Sequence, residues 1–95
     1  MRIKIPIYNQ PVYIENNYDG NDFKAIVEFN PIKLRYNPKY WDIKTLAHEC
    51  IHIINRICKN CLIDLNDYDN DEWYAYLYAD IFHRIYNATK KDLIK

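Results

Sequence analysis

Two histidines and a glutamate within one short segment have the types and spacing for metal-assisted hydrolysis. They are His48, Glu49 and His52, in the pattern His-Glu-x-x-His. On an α-helix, residues four apart lie about 40° apart around the axis and about 6 Å apart along it, so both imidazoles can bind one ion. Glu49 lies about 100° around the axis from His48, where it can reach a water on that ion without being a ligand. The spacing therefore predicts Zn²⁺ held by two imidazoles, with a carboxylate as general base.

The residues around this motif favour an amphipathic helix over about 42–58. Asp42 is a suitable N-cap, and apolar residues recur with the helical period at Ile43, Leu46, Ala47, Cys50, Ile54 and Ile57. His48 and His52 fall on a different face, from which they can point into a cleft. The competing interpretation is an ordinary amphipathic helix whose histidines are merely polar. The metal site is favoured because two of the three histidines in the chain belong to the motif.

A zinc ion in a hydrolytic site usually has three protein ligands and a water, so two histidines are incomplete. The best third candidate is Glu72, which follows His52 by 20 residues and begins a second predicted helix over about 71–87. That gap lets a loop reverse the chain and return the first turn of the second helix to the motif. The alternative is structural, because Asp69-x-x-Glu72 is similar to a capping box. Position alone supports both roles of Glu72 about equally.

His48-Glu49-x-x-His52 followed by Glu72 resembles the zincin metallopeptidases of the gluzincin type, whose third ligand is a Glu on a following helix. The segment 70–77 also resembles a Glu-bearing element of small phage-type metallopeptidases, in which a short N-terminal sheet precedes the two helices. The match covers about residues 24–86 in order and type, but only the two motif segments are specific. The resemblance implies a zinc-dependent hydrolase, in particular a small metallopeptidase. His48, His52 and Glu72 would be its metal ligands, and Glu49 would activate a zinc-bound water.

The chain also departs from the larger gluzincins. They often carry an Asp four residues after the ligand Glu, but Tyr76 stands at that position here, and Asp80 lies one turn further on. His83 is about 16 Å from Glu72 along the predicted helix, too far to bind the same ion. The groups that orient the histidines are therefore not identified, and the candidates for stabilising an oxyanion are Tyr40, Tyr68 and Tyr76.

Cys58 offers a competing third ligand. It follows His52 by six residues, where metzincins have a histidine, although Asn55 replaces the glycine of their turn. A His-His-Cys site is less suited to peptide hydrolysis. Cys58 and Cys61 form a C-x-x-C pair, but a structural zinc site needs a second pair, and Cys50 is the only other cysteine. Reduced, partly buried thiols are the favoured interpretation.

The predicted fold class is α+β, a minimal zincin-like domain over residues 1–95. It has a small antiparallel N-terminal sheet over 1–36, the motif helix over 42–58 and the Glu-bearing helix over 71–87. Alternating apolar residues predict strands over 2–8, 11–15, 24–29 and 32–36. The zincin resemblance implies that an extended substrate adds to an edge strand within 24–36. Residues Lys90 to Lys95 are predicted to be a fraying end.

Composition excludes several classes of protein. The 13 basic and 13 acidic residues balance, which argues against a general nucleic-acid binder. No apolar run reaches the length of a membrane span, and the alternating N-terminus predicts a strand instead of a signal peptide. The three cysteines fit a reducing compartment. We therefore expect a cytoplasmic protein, in the host cytoplasm if it is phage-encoded, with a peptide or protein substrate as its partner and no membrane or nucleic acid; no oligomeric state is predicted.

A non-catalytic binding module is the rival function. Such a protein would be a phage-type inhibitor or adaptor that keeps a metal-binding zincin-like scaffold. The length of 95 residues favours it, because little chain is left for a specificity pocket. Glu49 favours the enzyme, because a purely structural zinc site does not need that carboxylate.

Overall fold

Four strands and two helices make up the part of the chain that the computed structural model describes, residues 2–7, 10–20, 23–61 and 71–94. The elements are β1 (Arg2–Ile7), β2 (Gln10–Glu15), β3 (Ala25–Glu28), β4 (Ile32–Tyr36), α1 (Ile43–Asn60) and α2 (Asp71–Thr89), with a final 3-10 turn at Lys90–Asp92. The predicted α+β class, an N-terminal sheet followed by two helices, is confirmed. Neither of these described helices is long and apolar enough to cross a membrane.

The sheet is mixed, so the prediction of a purely antiparallel sheet is wrong. Its strand order is β1-β2-β4-β3, and β2 pairs with β4 in parallel, from Val12 opposite Ile32 to Glu15 opposite Arg35. The connection over 16–24 is long enough to carry the chain past the place of β4, so β3 forms the edge and β4 returns antiparallel to it. β4 suits the inner position because every second residue along it is buried, whereas β3 has only four residues.

One face of the sheet is apolar and the other is charged. Side chains alternate between the faces along each strand, and the apolar face buries Ile5, Ile7, Val12, Ile14, Ala25, Ile32, Leu34 and Tyr36. On the opposite face the Glu15 carboxylate lies 3.5–3.8 Å from the side chains of Arg2, Lys33 and Arg35. The helices therefore cover the apolar face, where α1 contacts β3 and β4 and α2 contacts β1.

Local signals in the sequence define the start of α1. Asp42 has extended backbone angles, and its Oδ1 accepts a hydrogen bond of 2.8 Å from the amide of Thr45, as an N-cap does. The helix continues to Asn60, two residues beyond the predicted end. Ile43 was expected in the apolar stripe but is 51% exposed, because the first turn of the helix extends past the core. Ile53, which was not assigned to the stripe, is fully buried instead.

Replacing Asp42 with Ala is expected to lower the free energy of unfolding by about 1 kcal/mol, because the Thr45 amide loses its cap. Hydrogen bonds from Thr45, and to a lesser extent Lys24, lower the pKa of Asp42 from 3.8 to about 2. A depressed folded-state pKa contributes stability above the unfolded value, and that contribution disappears as the pH falls from about 4 to about 2. Urea unfolding across this range tests both statements.

Asp42→Asn is the matched control for this titration. Asn caps helices as well as Asp does but does not titrate. We expect the free energy of unfolding of Asp42→Asn to decrease less with falling pH than that of the wild type. Equal pH dependence in the two proteins would contradict the role given to the carboxylate.

The C-terminal end is held against the core. Tyr36, fully buried in β4, donates a hydrogen bond of 2.6 Å from its hydroxyl to Oδ2 of Asp92, and the amide of Ile94 donates to the Trp41 carbonyl at 2.9 Å. Burial, and then Asp92, raise the pKa of Tyr36 far above its ordinary value of 10.0. The prediction of a fraying end is therefore wrong for residues 90–94. These contacts also fix Trp41, which immediately precedes the cap of α1.

Candidate metal centre

The structure brings the two motif histidines together on one exposed face of α1. Nε2 of His48 lies 3.2 Å from Nε2 of His52, and the rings meet edge to face at 74°. Two nitrogen ligands about 2.0–2.1 Å from a tetrahedral zinc ion lie about 3.3–3.4 Å apart. The histidine pair therefore fits two adjacent positions in the coordination sphere of a single zinc ion.

Glu49 occupies a different environment from its two neighbours. Its side chain is on the sheet side of the helix and only 6% of the residue is exposed, yet it lines two of the surface clefts described below. Within the described residues no group donates a hydrogen bond to its carboxylate. Burial raises the pKa of Glu49, while positive charge on His48 or His52 would lower it. Partial desolvation of a carboxylate is unfavourable, and carboxyl groups with a raised pKa beside a cleft are frequent at functional sites.

The structure does not bring Glu72 into a three-ligand group with the histidines. Glu72 is exposed in the first turn of α2. Across residues 2–7, 10–20, 23–61 and 71–94, no three His, Cys, Asp or Glu side chains are grouped to hold a metal ion. The alternative capping role depends on Asp69, which lies in 62–70, outside the described residues. Both roles of Glu72 remain predictions.

The competing cysteine ligand lies on the wrong side of the helix. Cys58 is fully buried in the core, whereas His48 and His52 are exposed. Burial raises the pKa of the Cys58 thiol, and it raises that of Cys50 to about 12. A protonated thiol is a poor metal ligand, since the thiolate is the form that binds. Position and chemistry both disfavour a His-His-Cys site.

Polar groups on α2 have partners other than the motif histidines. Asp80 accepts hydrogen bonds of 3.1 and 3.2 Å from Nε of Arg84, and His83 is hydrogen-bonded to Asn87 at 3.0 Å. Among the predicted oxyanion candidates, Tyr40 is 54% exposed, Tyr76 is 71% exposed, and Tyr68 lies outside the described residues. None of these contacts orients the imidazole of His48 or His52.

Tyr78 links α2 to the motif turn. Its hydroxyl donates a hydrogen bond of 3.0 Å to the carbonyl of Ala47, the residue before His48. A periodic sequence pattern cannot show which hydroxyl will bond to a carbonyl on another element. This bond fixes the register of the two helices beside the histidine pair.

A surface groove runs between the edge strand β3 and α1. Two clefts of about 400 and 310 Å³ lie along it, and a cleft of about 480 Å³ beside Lys24, Asn37 and Lys39 precedes them. Phe23 lines all three. The histidine pair and Glu49 line the last cleft opposite a set of apolar residues, Phe23, Ala25, Ile26, Val27 and Phe29. Phe23 was not predicted to be functional. The only feature in the sequence that could have indicated it is an aromatic side chain directly before the predicted strand over 24–29.

No protein-family model, curated protein or solved structure matches this chain. The likeness to zincins therefore depends on the motif residues themselves. The features of the molecule that bear on function are the histidine pair, the glutamate next to it and the groove beside them.

Proposed function

We propose that this protein is a zinc-dependent hydrolase, in particular a small metallopeptidase. The observation that carries the proposal is the position of Glu49, a buried carboxylate without a hydrogen-bond donor among the described residues, beside two histidines whose Nε2 atoms lie 3.2 Å apart. A core position would favour an apolar residue, because burying an unpaired carboxylate is unfavourable. A role as general base at the bottom of a cleft would explain why a glutamate occupies this position in spite of that unfavourable burial.

His48 and His52 would hold the metal through Nε2, and Glu72 is the proposed third ligand. When bound at such a site, zinc acts as a Lewis acid towards a carbonyl oxygen and lowers the pKa of a coordinated water to about 7. The protein's own contribution is to keep the two imidazoles converged. The Tyr78 bond to the carbonyl of Ala47 supports that turn of α1.

Glu49 moves the proton in this proposal. Its carboxylate accepts a proton from the attacking water as the C–O bond forms, and then delivers that proton to the amine as the C–N bond breaks. The amide is thereby cleaved to a carboxylic acid and an amine with no redox partner. Its position beside the cleft suits this role because no described protein group donates a hydrogen bond to the carboxylate.

The edge strand β3 offers a binding position for an extended substrate. It is the last strand of the sheet, so every second residue directs its backbone N–H and C=O away from β4. A peptide that pairs there runs along the groove past His48, Glu49 and His52. The scissile bond would then lie over the histidine pair.

The second candidate function is a non-catalytic binding module that retains this scaffold. The observation that favours it is the lack of a three-ligand group among the described residues, together with a groove able to hold a peptide without turnover. The two functions differ in their need for Glu49, since a binding groove does not require an unpaired carboxylate.

Hydrolysis of a mixed library of quenched fluorescent peptides tests the proposal. We expect cleavage by the wild-type protein, loss of cleavage with a zinc chelator, and recovery on adding Zn²⁺ but not Mg²⁺, because imidazoles prefer zinc. Cleavage that persists in the chelator would contradict a metal-dependent mechanism. Peptide binding without any cleavage by the zinc-loaded protein would favour the binding module.

A further inference from the structure

Lysines gather at one end of the groove. Lys24 and Lys44 line the middle cleft, and Lys24 and Lys39 line the first cleft. Lys24 is already paired with Asp42 at 3.2 Å. Within the described residues the ammonium groups of Lys39 and Lys44 form no ion pair, and both residues are exposed. Asp19 also lines the first cleft, and Glu49 lines the middle cleft. The three lysines are therefore balanced by Asp42, Asp19 and Glu49, and the positive charge at this end is local, on the exposed ammonium groups of Lys39 and Lys44.

The other end of the groove, where Phe29 lies, is apolar, and Phe23 reaches along the whole groove because it lines all three clefts. Phe23 is 66% exposed and Phe29 is 40% exposed, an unusual degree for large aromatic side chains. The Arg56 guanidinium lies over the Phe29 ring, 4.1 Å from its centre, and supports the ring at the end of β3. Aromatic side chains presented in this way suit contact with apolar side chains of a ligand.

The two ends are separated by the length of the edge strand. Residues 23–29 span about 20 Å at about 3.3 Å per residue, which is the length of about six residues of an extended partner. The basic end lies beside the start of both β3 and α1, and the apolar end lies beside His52. An occupant that pairs with β3 therefore meets both environments at once.

We propose that the groove selects an extended peptide with an acidic side chain at its Lys39 and Lys44 end and a large apolar side chain against Phe23 and Phe29. This inference rests on the proposed function, because it names the substrate class of that same groove. Opposite charges at an exposed site attract each other modestly, and salt weakens the attraction. The selectivity is therefore expected to be about three- to tenfold and dependent on salt.

Fluorescence anisotropy with labelled octapeptides tests the selectivity in the full-length Glu49→Gln protein, which leaves the probes uncleaved. The probes carry a Leu-Leu centre with two Glu, two Gln or two Lys at one end, in both chain directions. We expect the Glu probe in one direction to bind about three- to tenfold more tightly than its Lys counterpart, and this ratio to shrink towards one in about 1 M salt. Phe23→Ser should weaken binding of all the probes.

The double variant Lys39→Glu with Lys44→Glu should reverse the preference. Its matched control is Lys4→Glu with Lys59→Glu, which changes the net charge equally at two exposed lysines outside the three clefts. The control should retain the preference for the Glu probe. Equal binding of all probes, or a preference that survives the groove variant, would overturn the inference even if zinc-dependent hydrolysis occurs. Selective binding together with no hydrolysis by the wild type would instead overturn the proposed function alone.

Discussion

Glu49→Gln is expected to reduce the turnover of peptides by about 10²- to 10⁴-fold while the protein keeps its fold and its metal. Gln has nearly the same shape as Glu, but its amide cannot accept the proton that the reaction releases from water. Metal content should persist because Glu49 is the proposed base and not a ligand. The measurement is kcat/KM on a cleaved peptide, together with zinc per chain.

Glu28→Gln is the control for this substitution. Glu28 lies on β3, its side chain is 44% exposed, and it pairs with Arg35 at 3.3 Å on the charged face of the sheet. We expect that variant to retain turnover within about twofold, because exposed ion pairs contribute little. A Glu49→Gln protein that kept full turnover would remove the general base from the mechanism and leave the binding module as the better account.

Ile53→Ala is expected to lower the free energy of unfolding by about 2–5 kcal/mol. Ile53 is fully buried on the face of α1 that packs within the core. Its truncation removes buried apolar area and leaves a cavity in close-packed surroundings. A chain of this length has a total stability of about 5–14 kcal/mol, so the loss is a large fraction of it. Urea unfolding followed by circular dichroism gives the difference.

Ile51→Ala is a closely matched comparison, because it changes the same residue type two positions away on the same helix. Ile51 is 39% exposed, and Ala has a higher helix propensity than Ile, so we expect a change of less than about 1 kcal/mol. Equal destabilisation by the two substitutions would mean that α1 does not present the described face to the core.

Short-range signals predicted α1 and the relation between its two motif histidines. Asp42 and the helical period determine where the helix starts, and a spacing of four residues places His48 beside His52 whatever the rest of the chain does. Ile43 was misassigned because periodicity shows which face a residue is on but not whether the core extends that far along the axis. Ile53 was missed because the buried face is wider than the stripe.

Features that depend on contacts between distant segments were harder to predict from the sequence. The parallel pairing of β2 with β4 arises because β3 lies beyond β4 in the strand order, and alternation within strands is the same for either pairing. The hydrogen bond from Tyr36 to Asp92 joins residues 56 apart, so no local pattern indicated that the C-terminal end is anchored. The groove needs β3 and α1 side by side, which only the assembled fold provides.

Zinc per chain tests the central claim most directly. Elemental analysis should be made on wild-type, His52→Ala and Glu72→Ala proteins purified without added zinc or chelator. We expect about one zinc per wild-type chain, none in His52→Ala and weakened retention in Glu72→Ala. Zinc unaffected by Glu72→Ala would contradict the assignment of the third ligand. A folded wild-type protein that holds no zinc, and takes up none on titration, would contradict the metal centre itself.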